Sequence, residues 1–470
     1  MKQNDLIDVN ELAPAEVSEI DLYQRREKIY TRAIEGFFQR VRLYTGWPLL
    51  IGYFGLPWLN WGERQSVLFD LPNRQFHILG LTFWPQDFFL LSFLLIIAAF
   101  ALFAVTVIAG RVWCGYTCPQ TVWTSIFMYL EQRFEGSRNQ RIKLDQAPLS
   151  LNKIVRKGLK HASWMTVAFL TGMTFVGYFY PIRDLLPELI TLHSGPWQSA
   201  WTVFFTLATY INAGWLREQV CTYMCPYARF QSVMFDQDTL IVSYDAARGE
   251  PRGSRRRDAE LTAGELGHCI DCQLCVQVCP TGIDIREGLQ YECIGCALCI
   301  DACNSVMSKM NYPKNLIAYT SENELAGGKT HWLRPRIIGY ITALLIMLSL
   351  FSYNVLTRTP LELTVMRDRG ALFIATEQGQ IENIYTLHLI NMTPSEQQFD
   401  LSVEGLDEAE LIGDTAPTVA PSSDLTYSVR LSAPSDTIPK GTTIILFTAT
   451  AQNDPSLSIR TESRFMAPYE

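Results

Sequence analysis

Twelve cysteines lie between positions 114 and 303 of this 470-residue chain, and eight of them repeat one spacing twice. Each run has three thiols separated by two residues and a fourth thiol after three more. This doubled spacing is typical of two-cluster ferredoxins, in which each run gives three ligands to one [4Fe–4S] cluster and its fourth cysteine to the other. The sequence therefore predicts one cluster on Cys269, Cys272, Cys275 and Cys303, and a second on Cys293, Cys296, Cys299 and Cys279.

Other uses of these eight thiols fit their spacing less well. A structural zinc site takes four ligands in two close pairs, whereas each run here offers three evenly spaced thiols and a fourth. A disulfide framework requires an oxidising compartment, and the distribution of cysteines along the chain argues against one. Asn304 stands where the first run has Pro280. Because that proline shapes a turn and does not bind iron, the difference leaves the prediction of two clusters unchanged.

The remaining four cysteines form a second repeat. Residues 114–119 read CGYTCP and residues 221–226 read CTYMCP, and each copy follows a long apolar stretch. The agreement suggests two related halves whose motifs face each other. Because proline suits the first turn of a helix, Cys118 and Cys225 are predicted to precede helices, whose dipoles would lower the pKa of both thiols.

These four thiols are candidate catalytic and metal-binding groups. Thiolates are soft ligands that suit Cu(I) or exchange with other thiols, so the set of interest is Cys114, Cys118, Cys221 and Cys225. The residues alone do not decide between copper and an additional iron–sulfur cluster. The alternative without a metal-binding or redox role is that they are small buried apolar side chains, as free cysteines often are.

The composition predicts a membrane protein with large polar parts, since 48% of the residues are hydrophobic and 18% are charged. A bilayer is crossed by about 20 apolar residues in a helix. Five stretches are long enough, at 43–61, 88–110, 164–182, 197–216 and 337–357.

Lysine and arginine predict how these spans are oriented. They concentrate before residue 43 and within 111–160 and 217–336, whereas 62–87 and 183–196 contain few. The positive-inside rule then places the N-terminus inside, in the cytoplasm, and the C-terminus outside. All twelve cysteines would face the reducing side. The formal net charge of −8 gives no indication of a nucleic-acid partner.

The predicted fold class is a multi-domain membrane protein. A five-helix transmembrane bundle would carry a ferredoxin-like α+β insert with two [4Fe–4S] clusters and a C-terminal immunoglobulin-like β-sandwich, which the period-two alternation after Arg358 indicates. The predicted parts are a basic amphipathic arm at 1–42, four spans with both CxxxCP motifs at 43–216, a cytoplasmic segment at 217–336 with the ferredoxin-like domain at about 258–310, a fifth span at 337–357 and the sandwich at 358–470.

This order of segments, together with the repeated CxxxCP motif, resembles the FixG/CcoG (RdxA-type) family of cytochrome oxidase accessory proteins. The resemblance implies a role in maturing a cbb-type haem–copper oxidase, through reduction of Cu(II) to Cu(I) at the cytoplasmic side. It assigns the cluster ligands to the eight cysteines of 269–303 and the membrane-edge thiols to the other four. The partners would be membrane lipid, a cytoplasmic electron donor, a copper chaperone or transporter, and oxidase assembly factors.

Two alternative functions stay open. Related polyferredoxins with the same thiol motifs pass electrons to or from membrane quinone. A non-redox scaffold for oxidase assembly, with structural clusters and a docking sandwich, belongs to a different class. Reoxidation by a quinone analogue without copper would indicate the first, and oxidase assembly by variants whose clusters cannot be reduced would indicate the second.

Overall fold

Long helices, a cysteine-rich domain and a pair of β-sheets follow one another along the chain. The computed structural model describes residues 28–62, 64–256, 266–368, 370–393 and 395–469. Most of the predicted amphipathic arm therefore lies outside the described residues. Of the rest, residues 28–36 are extended and not helical.

The helices of the first half extend beyond the predicted spans, because several polar segments between those spans are also helical. Two π-helical segments, Tyr210–Leu216 and Val220–Met224, separate the last two of these helices. The helices are α1 (Phe37–Gly55), α2 (Phe88–Ala109), α3 (Val112–Tyr116), α4 (Pro119–Glu135), α5 (Arg138–Gln146), α6 (Leu151–Val176), α7 (Ile182–Thr191), α8 (Pro196–Thr209) and α9 (Pro226–Met234).

A small β-structure fills the predicted loop between α1 and α2. Two short strands pair with each other, and three more form an antiparallel sheet in sequence order. The five strands are β1 (Asn60–Trp61), β2 (Arg64–Gln65), β3 (Val67–Asp70), β4 (Gln75–Ile78) and β5 (Leu81–Phe83).

The cysteine-rich domain is an α+β unit closed by a two-stranded antiparallel sheet. That sheet pairs residues from before and after all eight cysteines, so the domain extends beyond the predicted 258–310. Its elements are β6 (Ile241–Tyr244), α10 (Ala246–Gly249), α11 (Leu274–Val278), α12 (Leu298–Lys309), β7 (Ile317–Thr320) and α13 (Glu322–Leu325).

Two helices in the described residues are long and apolar enough to cross a bilayer: α2, with the turn that starts at Pro85, and α14 (Pro335–Leu356). They lie side by side, with the rings of Phe93 and Phe351 6.2 Å apart. Apolar side chains on both helices are exposed, such as Leu95 at 62%, as expected of surfaces that contact lipid. The other three predicted spans are helical over most of their length, in α1, α6 and α8.

The C-terminal region is a β-sandwich, as the alternating pattern predicts. One sheet has the order β12-β14-β10-β8 with β9 beside β10, and the other has the order β13-β11-β15-β16. The strands are β8 (Leu361–Arg367), β9 (Ile374–Ala375), β10 (Gln380–Asn391), β11 (Gln397–Glu404), β12 (Glu410–Ile412), β13 (Thr418–Val419), β14 (Ser423–Pro434), β15 (Thr442–Ala451) and β16 (Ser458–Met466).

Aromatic side chains fill the space between the two sheets. Tyr385 on β10 and Phe447 on β15 are fully buried, and their rings meet edge to face with centroids 5.0 Å apart. Period-two alternation places every second residue of β10 in this core, which is the property that made the strands visible in the sequence.

A buried ion cluster links the helices near the CxxxCP motifs. The Glu131 carboxylate lies 2.8 Å from Arg217 and 3.3 Å from Arg141, while Glu135 lies 2.9 Å from Lys160. Burial alone would raise the pKa of Glu131, but the two arginines outweigh it and lower that pKa. Removing one partner of such a cluster would leave an uncompensated buried charge.

The extended residues 28–36 hold the cysteine-rich domain against the helices. The Arg32 amide donates to the Gln277 carbonyl at 2.8 Å, and the amides of Phe38 and Gln39, in the first turn of α1, donate to the Asp301 carboxylate at 3.2 and 2.8 Å. Gly36 precedes α1 and has no side chain to cap it. Asp301 of α12 therefore caps α1, a role that serines or aspartates usually perform locally.

Truncating Phe447 to alanine should destabilise the C-terminal sandwich by about 3–5 kcal/mol, because it removes a fully buried aromatic ring and leaves a cavity. Pulse proteolysis of the full chain in urea, followed at fragments of 358–470, measures the change. Ile444→Ala is the matched control, since Ile444 lies on the same strand but is 58% exposed. Equal shifts of the urea midpoint for both variants would contradict the assignment of the core.

Candidate iron–sulfur and thiol site

Eight thiols line two neighbouring cavities in the cysteine-rich domain. Cys275 borders both cavities, so they share a wall. The first cavity is lined by Cys269, Cys272, Cys275 and Cys303, with apolar walls from Ile270, Leu274, Val306, Met307, Leu316 and Ile317. The second is lined by Cys279, Cys293, Cys296 and Cys299, with apolar walls from Val242, Ile283, Ile285, Ile294 and Ala297.

The electrostatic neighbours of these thiols follow the same grouping. Burial, together with the thiols of Cys275, Cys269 and Cys272, raises the pKa of Cys303 to about 12. Burial likewise raises the pKa of Cys293 to about 12, with contributions from Cys296 and Cys279. Such thiols become thiolates only when a cation is bound, because a metal ion reverses the local charge balance.

The donor set fits an iron–sulfur cube better than a single ion. Among the described residues, no three His, Cys, Asp or Glu side chains are close enough together to hold one metal ion. In a cube each thiolate bonds a different iron, so the four ligands stand further apart than the ligands of one ion. Four thiols in an apolar cavity, with no other donor type, match what a [4Fe–4S] cluster requires.

Both cysteine runs have the same backbone. Gln273 and Ala297, each directly after the second cysteine of its run, are left-handed with φ of 53° and 58° and begin α11 and α12. Asp271 and Gly295, each directly before the second cysteine of its run, also have positive φ. Glycine is needed only in the second run, because a Cβ at Gly295 would lie 3.1 Å from the Arg111 backbone.

The two CxxxCP motifs also share a backbone conformation. The residues four positions before Cys114 and Cys221 are Gly110, with φ 55° and ψ −123°, and Arg217, with φ 44° and ψ −110°. Cys118 and Cys225 are both N-cap residues, of α4 and α9, with proline at the first helical position. The sequence repeat therefore corresponds to a structural repeat that starts four residues earlier.

The structure brings the four motif thiols into one neighbourhood. Cys114 interacts electrostatically with Cys118 and Cys221, and Cys118 and Cys221 each interact with Cys225. Cys114 and Cys221 pack against the apolar cluster that contains Cys296 of the second cavity. The motif thiols thus lie beside each other and directly against the second set of cysteines.

The expectation of low thiol pKa values at the helix N-termini is wrong for Cys118. Burial raises the pKa of this thiol, and the amides of Thr121 and Gln120 only partly offset the effect. Burial, together with neighbouring motif thiols, raises the pKa of both Cys114 and Cys221 to about 12. Desolvation opposes the thiolate more than a helix terminus favours it.

Arg111 connects the two thiol regions, although its sequence position indicated only an inside charge. Its buried guanidinium donates to the carbonyls of Tyr291 at 2.6 Å and Cys293 at 3.4 Å, and to Ala228 of α9. Its charge lowers the pKa of Cys114, Cys221 and Cys293 against the effect of burial. The sequence signal for this role was a basic residue three positions before Cys114.

The closest approach between the two regions is made by glycine. A Cβ at Gly115, inside the first motif, would lie 2.8 Å from both the Cα of Cys296 and the carbonyl oxygen of Gly295. The Arg42 side chain donates to the Gly115 carbonyl at 3.1 Å. The motif backbone therefore lies directly on the backbone of a predicted cluster ligand.

Comparison with known proteins decides the family. Family models match as a 4Fe-4S binding domain at 91–135, a 4Fe-4S dicluster domain at 216–322 and an IG-like fold at the C-terminal of FixG at 351–468. The nitrogen fixation protein FixG of Rhizobium meliloti is 38% identical over 427 residues, covering 83% of this chain and 82% of that protein. The chain belongs to the FixG family. Protein RdxA of Cereibacter sphaeroides, another similar protein, is 37% identical over 460 residues, covering 94% of each chain.

A solved structure is also similar in part. The crystal structure of a FixG-related protein from Vibrio parahaemolyticus is 33% identical and covers 23% of this chain and 95% of that chain, with a TM-score of 0.21. Membership of the FixG family confirms the resemblance, the 4Fe–4S domains and the immunoglobulin-like C-terminal fold. With its two long apolar helices, this chain is a membrane-associated iron–sulfur protein of the electron-transfer class.

Replacing Gly115 by alanine should weaken retention of iron by the second set of cysteines. The added methyl would overlap the Cys296 backbone, and overpacking of this kind costs about 1–3 kcal/mol. Iron content and visible absorbance during a chelator challenge measure the effect.

Gly158→Ala on α6 is the matched control for that variant, because a Cβ there meets no atom within 4 Å. Iron loss at the same rate from both variants would show that the glycine contact does not support the cluster region.

Proposed function

We propose that this protein carries electrons through two [4Fe–4S] clusters, on the eight cysteines of 269–303, to Cu(II) at the four CxxxCP thiols, and releases Cu(I). The observation that carries the proposal is the packing of Cys114 and Cys221 against the apolar cluster around Cys296. A small cavity next to them is bordered by Cys221 together with Pro280 and Thr281, the residues after Cys279. No solvent layer needs to separate a bound copper ion from the second set of cysteines.

The chemistry divides between the clusters and the chain. When bound by the eight cysteines of 269–303, the clusters would supply one-electron transfer. The thiols favour the reduced metal, because thiolate is a soft ligand and Cu(I) is the softer copper ion. One electron converts Cu(II) to Cu(I), and each thiol that binds copper as thiolate releases its proton to solvent. Because the described residues contain no group of three donors for one ion, we expect copper to contact a pair of the thiols.

Arg111 has a positioning role in this scheme. Its guanidinium donates to three backbone carbonyls in the loops of both regions. This one buried side chain therefore fixes the distance between those loops. Its positive charge also partly compensates the negative charge that accumulates when thiolates form on both sides. Copper binding and cluster binding would therefore share one buried cation.

We further infer that the protein has five spans in a bacterial inner membrane, with the thiols inside and the sandwich in the periplasm. The contacts support this sidedness. Arg358, at the start of the sandwich, lies 2.5 Å from Asp87 and donates to the Thr82 carbonyl, both in the predicted outer loop. The cysteine-rich domain instead contacts the starts of α1 and α3, at the opposite ends of the helices.

The proposed role in the cell is copper supply for assembly of a cbb-type cytochrome oxidase, which the family resemblance suggests. Its partners would be a cytoplasmic electron donor, a copper chaperone or transporter, and oxidase assembly factors, with lipid around the spans. A non-redox scaffold remains the contrasting function, and assembly of active oxidase by variants whose clusters cannot be reduced would favour it.

Exchange of electrons with quinone is the second candidate, because a cavity of about 220 Å³ opens between the end of α2 and Cys293. The few hydrogen-bond donors in its mostly apolar lining argue against a quinone head group. Tyr291 donates to the Thr222 carbonyl at 2.9 Å, Tyr319 donates to Gly295, and Arg111 donates to three carbonyls. Each of these groups already donates to backbone, whereas quinone oxygens need free donors. Reoxidation of the clusters by a quinone analogue without copper would revive this candidate.

Serine at both Cys118 and Cys225 should abolish conversion of Cu(II) to Cu(I) by the anaerobically reduced protein. The cluster absorbance and an iron content of about eight per chain, for two cubes, should be unchanged. A colorimetric Cu(I) chelator measures the reaction. Thr117→Ser, in the same loop, is the control and should reduce copper normally.

Two outcomes would contradict the site assignment. Normal copper reduction by the double variant would exclude these thiols. A wild-type iron content of about twelve, falling to about eight in the variant, would instead show that the four thiols hold a third cube, an alternative kept open by the 4Fe-4S model over 91–135.

A further inference from the structure

The first cavity has one edge that faces solvent, at Cys272. All twelve cysteines are among the described residues, and of these Cys272 alone is exposed. Cys275 joins the first cavity to the second, and the second adjoins the membrane-edge thiols. Because the groups are arranged in this order, an electron from a soluble protein has its shortest path at Cys272.

A basic segment surrounds this edge. Residues 249–256 are packed against the first cysteine, since the Gly253 amide donates to the Cys269 carbonyl at 3.1 Å and the Cys269 amide donates to the Gly249 carbonyl at 3.2 Å. Arg255 lies over the ring of Tyr312, 5.2 Å from its centroid. The segment therefore holds its arginines at a defined position beside the first cavity.

The charge of this surface is positive although the whole chain carries −8. Arg248 donates to the Lys314 carbonyl at 3.1 Å, which places α10 beside the loop after α12. The exposed cations on this surface are Arg252, Arg256, Lys309 and Lys314. Asp271 and Asp284 share the single cation Arg286, and Glu250 lies 3.8 Å from Arg252, so among these described residues the cations outnumber the acids.

We propose that an acidic one-electron carrier protein, of the flavodoxin or small ferredoxin class, docks on this basic surface and delivers electrons at Cys272. The inference rests on the proposed function for the direction of electron flow. The reduced carrier loses one electron and the oxidised cluster gains it, and no bond forms or breaks. Opposite charge steers the encounter and raises its rate, while the membrane-edge thiols remain free for the acceptor.

An acidic protein fits the position of this surface better than anionic lipid does. The basic residues lie by the first cavity, whereas the cysteine-rich domain meets the helix ends near the second cavity, through Arg111 and Gly115. Lipid head groups at those helix ends would be reached by the second region and not by the first.

The test compares two charge-reversed variants of the full protein in zwitterionic nanodiscs, with a bacterial flavodoxin as probe. Arg252→Glu with Arg256→Glu changes the docking surface, and Arg133→Glu with Lys143→Glu, at exposed positions on α4 and α5, changes the net charge equally. We expect about a tenfold or greater loss in both flavodoxin affinity and the rate constant of cluster reduction for the first variant only. The loss should shrink as salt is added.

Three results would overturn the docking proposal. Equal losses in both variants would show a general charge effect, and no loss in either would show that the surface is not used. Disappearance of the difference in anionic nanodiscs would assign the surface to lipid. Dithionite should reduce all variants to the same extent, and copper reduction by protein reduced in that way tests the proposed function separately.

Discussion

The structure depends on one contact between main chains. The loop that contains Cys114 lies on the loop that contains Cys296, and glycines at 115 and 295 make the approach possible because neither has a Cβ. Side chains would force these loops apart and place water or hydrocarbon between the two thiol sets. Arg111 and Arg42 reinforce the contact from either side by donating to backbone carbonyls. Burial, thiol pKa values and the proposed route for electrons all follow from this proximity.

Local patterns in the sequence predicted the parts of the molecule that depend on local geometry. The spacing of the cysteines indicated which thiols share a cavity, because the ligand spacing is set by short turns. The alternation in residues such as Tyr385 and Phe447 located the sandwich strands, since one face of each strand is buried. The membrane-edge repeat was visible in Cys118-Pro119 and Cys225-Pro226, because proline specifies a helix start.

The features that escaped prediction depend on contacts between distant segments. The polar stretch 111–160 reads as a charged loop, yet its helices bury Glu131 and Glu135 against cations from α5, α6 and Arg217, so the charges neutralise one another inside the protein. Periodicity around Ile29 and Ile34 suggests a helix, but that segment is extended along the cysteine-rich domain. The thiol pKa values were misjudged because helix position can be read from a sequence and desolvation cannot.

The carboxylate of Asp301 has a consequence for how the chain is made. It accepts hydrogen bonds from the first turn of α1, although it is synthesised 262 residues after Gln39. Until the ribosome has passed this aspartate, the start of α1 has no partner for two of its amides. Assembly of α1, the first helix in the described part of the chain, is thus completed only by the region that contains the eight cysteines. A chain that fails to fold its metal-binding region also leaves the start of α1 without its partner Asp301. The exposed start of α1 is therefore a signal that quality control can detect during biogenesis.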